Sequence, residues 1–93
     1  MSNDISATLA ERGVTHGDFK VHARITQNLK RAMRAGPNWD KLTDAQRESL
    51  EMQAHKQGRI LAGDPEHADS WHDIAGYATL VERHITANDI EYL

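Results

Sequence analysis

The chain has 93 residues, 11 basic and 14 acidic, with a formal charge of −3, no cysteine and five aromatic residues among 39% apolar ones. Such a length supports one small domain with a modest core, and the missing cysteines exclude a disulfide framework and any thiolate metal site. The acidic balance excludes general nucleic-acid binding, and no apolar run approaches the roughly 18 residues of a membrane span, so a cytoplasmic location is expected.

The first helix is expected from about Asp4 to Arg12, where Ile5 and Leu9 lie one turn apart and Gly13 reads as the stop. The second starts at Asp18, a good N-cap, and runs to about Ala35 along a stripe of Val21, Ile25, Leu29 and Met33. Its surface is basic, with Lys20, Arg24, Lys30, Arg31 and Arg34. A solvated helix face explains this run. The turn between these helices, "RGVTHGDF", could hold a phosphate on the backbone N–H groups of the second helix, or could serve simply as a turn.

"GPNW" at 36–39 separates the second helix from the third. Thr43 and Gln46 form a capping-box pattern, and the third helix is expected over 44–62 with Gly63 just past its end. Leu50, Ala54 and Leu61 fall on one face; Glu48, Glu51, Met52, His55 and Arg59 fall on the opposite one. After "GDPE" the fourth helix is expected over 66–87, with Trp71, Ile74, Ala78, Val81 and Ile85 as a core seam. The tail 88–93 is expected to fray or to serve a contact.

The fold expected for 1–93 is therefore an all-α bundle of three main helices and a short N-terminal one. Its expected core is Ile25, Leu29, Leu50, Ala54, Leu61, Trp71, Ile74, Ala78 and Val81. That is little apolar material for a free-standing domain, so a homodimer or larger oligomer is expected to complete it. Gly58 and Gly76, each costly inside a helix by about 1 kcal/mol, read as points where helices approach closely.

Glu48 and Glu51 on the third helix, and Asp69 and Asp73 on the fourth, are candidate ligands for Mg²⁺ if the helices pack antiparallel. Helix-dipole stabilisation by Asp69 and Asp73, and pairing of Glu51 with His55, are the structural alternatives. Lys56, Arg59, His55 and Tyr77 are candidates for binding a phosphate-bearing ligand, although Tyr77 reads first as core and only second as a stacking residue. A zinc site of His55, His67 and His72 lacks any recognised ligand spacing.

The segments "ERGVTHGDF", "LEMQAHKQGRILAGDP" and "DSWHDIAGYATL" together resemble a family of small phage and prophage proteins without an assigned activity. The resemblance runs from Glu11 to Val81, most specifically in Lys56, Arg59, Asp69, Trp71, Asp73, Gly76 and Tyr77. It implies residence in the cytoplasm of a bacterial host. More distantly, the chain is similar to MazG-like nucleotide pyrophosphohydrolases, which hold Mg²⁺ with E-x-x-E and E-x-x-D pairs. Glu48 and Glu51 match the first pair; Asp69 and Asp73, four apart, depart from the second. The leading expectation is a binding protein without turnover, acting on a nucleotide or a host protein. A Mg²⁺-dependent pyrophosphohydrolase and a purely structural interaction module are the alternatives.

Overall fold

A computed structural model describes residues 5–91 and holds four α-helices: α1 Ile5–His16, α2 Phe19–Arg34, α3 Asp44–Ala62 and α4 Ala68–Glu91. A single 3₁₀ turn, Trp39–Lys41, lies between α2 and α3, and no strand occurs among the described residues. The chain is an all-α bundle.

The start signals act as their chemistry requires. Asp18 accepts the Lys20 backbone N–H at 2.9 Å and opens α2. The capping box at α3 closes in both directions: the Thr43 hydroxyl accepts the Gln46 N–H at 3.2 Å, and the Gln46 side chain accepts the Thr43 N–H at 2.9 Å. Arg47 secures the 3₁₀ turn, donating from Nε to the Trp39 carbonyl at 3.1 Å with its guanidinium over the indole ring.

Two stop signals act differently from their reading in the sequence. Gly13 does not end α1, which continues one more turn to Gly17. Gly17 alone among the described residues has a positive φ, 81°, the left-handed conformation that ends a helix cheaply only at glycine. Gly63 does cap α3, but its φ of −117° is open to any residue. What demands glycine there is proximity: a β-carbon on Gly63 would collide with the backbone of Thr15 and His16. At the far end α4 runs past Ala87 to Glu91; the rest of the expected tail, 92–93, and the expected helix start at Asp4 lie outside the described residues.

Helix α3 is the central element, packing on α4 with one side and on α2 with another. Towards α4, Ser49 donates to the Tyr77 carbonyl at 2.9 Å and Lys56 pairs with Asp73 at 2.8 Å. Towards α2, Gly58 lets Thr26 and His22 come so close that a β-carbon would overlap the Thr26 hydroxyl. Glu51 on this side meets Lys30 at 3.6 Å and Arg34 at 3.4 Å.

This side-by-side order leaves little interior. Ala54, 2% exposed, is the one buried apolar residue among those described; His22, Thr26, Ser49 and Ser70 are buried beside it. Ile25, Leu29, Ile74 and Val81 are half-buried. Leu50 (39% exposed), Leu61 (65%), Trp71 (56%) and Ala78 are exposed, contrary to their expected place in the core. The reason is the rotation of α4, which turns Ser70, Ile74, Tyr77 and Val81 to α3 and leaves Trp71, Ala78 and Ile85 outside. Trp71 instead ties down the loop before α4, donating from Nε1 to the Pro65 carbonyl at 2.8 Å.

Candidate functional site

The α1–α2 turn lies across the C-terminal end of α3. The Asp64 N–H donates to the Thr15 carbonyl at 2.8 Å, and a β-carbon on Gly17 would collide with the Ala62 carbonyl. Two glycines on facing segments therefore let backbone meet backbone. The contact brings His16 from α1 and Phe19 and His22 from α2 beside His55 and Arg59 of α3.

Between these elements opens a cavity of about 520 Å³, lined chiefly by Arg12, His16, Phe19, His22, His55 and Arg59. Leu9 and Phe19, both largely exposed, supply apolar surface; Asp18 contributes the one carboxylate to the lining, its Oδ1 engaged by the Lys20 N–H. Neither Arg12 nor Arg59 forms an ion pair among the described residues. The imidazoles interlock: His22 packs edge-on to His55 with centroids 4.7 Å apart, and His16 meets His67 in the same manner at 5.6 Å.

Hydrogen bonding sets the roles of these rings. Nε2 of His22 donates to the His55 carbonyl at 3.1 Å, which fixes a buried ring to the neighbouring helix. Nδ1 of His16 is buried with no hydrogen-bond partner among the described residues, as is the Thr26 hydroxyl. Burial, followed by the charge of Arg59, lowers the pKa of His55 to about 4. The His16 pKa is lowered for the same first two reasons, with smaller contributions from His67, Lys56 and Arg12. Both rings are therefore neutral near pH 7, and the positive charge at the cavity resides on the arginines.

The four carboxylates expected to gather around a metal are dispersed. Glu51 faces the α2 cations, and Asp73 belongs to Lys56. Glu48 and Asp69 are exposed. Among the described residues no group of three or more His, Asp or Glu side chains is placed to hold a metal ion, which agrees with the lack of ligand spacing among His55, His67 and His72. The physical cause is the position of α3 between two partners: its acid and base side chains are divided between α2 and α4.

Of the expected ligand-binding residues, His55 and Arg59 line the cavity. Lys56 is committed to Asp73, and Tyr77, whose backbone carbonyl accepts from Ser49, lines a second cavity of about 510 Å³ with His72, Asp73 and Arg83. Arg12, His16, Phe19 and His22 are new at the site. The signal for the first three was the run "RGVTHGDF", where two glycines four apart bracket a histidine; His22 lies beyond it and carried no signal of its own.

The ion pair between Lys56 and Asp73 yields a direct expectation. The hydrogen bond from Lys56, ahead of its charge, holds the Asp73 pKa below the usual carboxylate range despite some opposing desolvation. Asp73→Asn is therefore expected to lower the melting temperature, more at low salt than at high salt, and to leave small-molecule binding at the cavity unchanged. Differential scanning fluorimetry at two ionic strengths measures this. An unchanged or raised melting temperature would show that the carboxylate is not held by Lys56 in solution.

No protein-family model matches the chain, and neither a curated protein nor a solved structure matches it. Among the described residues no helix is long and apolar enough to cross a membrane.

Proposed function

We propose that this protein binds a small anionic ligand of the nucleotide class in the histidine–arginine cavity, without turning it over. The observation that carries the reading is the pair Arg12 and Arg59, two cations without ion-pair partners among the described residues, at one cavity with neutral imidazoles and an exposed phenyl ring. Guanidinium groups bind phosphate through paired N–H donors, and aromatic faces stack on bases with little preference for sequence. The Phe19 ring, 78% exposed at this cavity, has the free face that stacking needs.

Binding without turnover is favoured over Mg²⁺-dependent hydrolysis because the carboxylates that hydrolysis would need are engaged elsewhere or apart. The discriminating experiment is isothermal titration calorimetry with nucleoside mono- and triphosphates, with and without Mg²⁺ and with inorganic phosphate as a control. Saturable binding that persists without Mg²⁺ is expected. Arg59→Gln should weaken it roughly tenfold or more, the scale of a lost charge-assisted hydrogen bond. Absence of binding to all of these probes would overturn the proposal, and strict dependence on Mg²⁺ with release of pyrophosphate would favour the hydrolase.

A further inference from the structure

Part of the seam that the sequence writes as buried is left open by the single chain. Trp71, Ala78 and Ile85 repeat every seven residues on one side of α4, and all three are exposed. Leu50 and Leu61, eleven residues apart on α3, are exposed as well. These two sets lie on the same broad side of the molecule. The Lys56–Asp73 pair marks one edge of the α3–α4 contact. At 100° per residue Leu50 and Leu61 project well away from Lys56 around α3, as Trp71, Ala78 and Ile85 do from Asp73 around α4. The side opposite the ion pair is therefore apolar on both helices.

The chain exposes more surface than a compact monomer of its mass. Its accessible surface is 6781 Å², whereas a compact monomer of 10.5 kDa exposes roughly 5,400 Å². The excess is on the order of 1,300 Å², the amount each partner of a permanent dimer removes from water. The radius of gyration agrees: 16.4 Å, with extents of 57 × 26 × 26 Å, against about 12 Å for a compact domain of this length.

We infer that a second copy of this chain covers the Leu50–Leu61–Trp71–Ala78–Ile85 face, with α4 pairing antiparallel to its counterpart about Ala78. Alanine at the crossing point lets two helices approach to about 8 Å. Trp71 and Ile85 stand seven residues to either side of Ala78, so an antiparallel pair sets the indole of one copy against the isoleucine of the other at both ends. Such pairing spreads bulk evenly, whereas a parallel pair would set tryptophan against tryptophan. The interface is isologous and closes as a dimer. The histidine–arginine cavity takes no part in this inference, and neither proposal depends on the other.

Sedimentation equilibrium of the full chain at micromolar concentration should return twice the chain mass of 10.5 kDa. Ala78→Arg, a change at an exposed position outside the α3–α4 contact, should return the single-chain mass while the helical circular dichroism persists. Because the chain has no cysteine, engineered thiols report on the pairing even if the arginine variant fails to fold. Under mild oxidation a mixture of Trp71→Cys and Ile85→Cys chains should form the mixed covalent dimer in excess of either self-linked one. A monomeric wild-type chain, or a dimer that survives Ala78→Arg intact, would overturn the inference. Self-linked products in excess over the mixed one would overturn the antiparallel arrangement.

Discussion

Gly17→Ala is expected to lower the free energy of unfolding by about 3 kcal/mol. Two costs combine. The residue sits at φ 81°, where an L side chain is strained by about 1 kcal/mol. The added methyl would also overlap the Ala62 carbonyl, a backbone atom at the end of α3 that has no rotamer to escape into. Relief of that overlap must part the α1–α2 turn from α3 and break the bond from the Asp64 N–H to the Thr15 carbonyl. Urea denaturation followed by circular dichroism measures the loss. Gly13→Ala is the internal control: a β-carbon there meets nothing within 4 Å, and alanine favours the helix, so that variant should be stabilised by up to about 1 kcal/mol. Equal effects at both positions would refute the backbone contact.

Mild acid is expected to weaken the fold between pH 6.5 and about 4, with His55 as the main cause. Its folded-state pKa lies near 4, below the ordinary value of 6.5. In that interval the unfolded chain takes up a proton that the folded chain refuses, so stability is complete above pH 6.5 and falls as the pH drops towards 4. The full shift would correspond to about 3 kcal/mol, and solvent screening at this partly accessible ring reduces it to about 1–2 kcal/mol. His16, lowered in the same direction, adds to the loss. His55→Gln should flatten the profile of unfolding free energy against pH over this range, and a slope unaltered by that change would assign the acid sensitivity elsewhere.

The dispersal of the acidic residues shows where reading a helix face from sequence stops. Glu48, Glu51 and His55 do share a stripe of α3, as their spacing requires, and Asp69 and Asp73 share one on α4. A shared stripe on each helix does not make the stripes face each other. The rotation of α3 between two neighbours decided that, sending Glu51 to Lys30 and Arg34 while Lys56 reached Asp73. The rotation of α4 in turn explains why Trp71 and Ala78, at the right period for a core, stand outside it in the single chain.

What the sequence by itself determined was local. Asp18 and the Thr43–Gln46 box set the starts of α2 and α3, and the prolines separated the main helices. These signals act through hydrogen bonds and backbone sterics within a few residues, so no tertiary context was needed to read them. Tertiary structure decided which of two glycines ended α1, which face of α4 met α3, and that His16, Phe19 and His22 would gather with His55 and Arg59 around one cavity. Those outcomes depend on the rotation and approach of helices distant in sequence, set by where glycine lets two segments close: against backbone at Gly17 with Ala62 and at Gly63 with Thr15 and His16, and against the side chains of α2 at Gly58. A helical period states which residues share a face; only the packed chain states what that face meets.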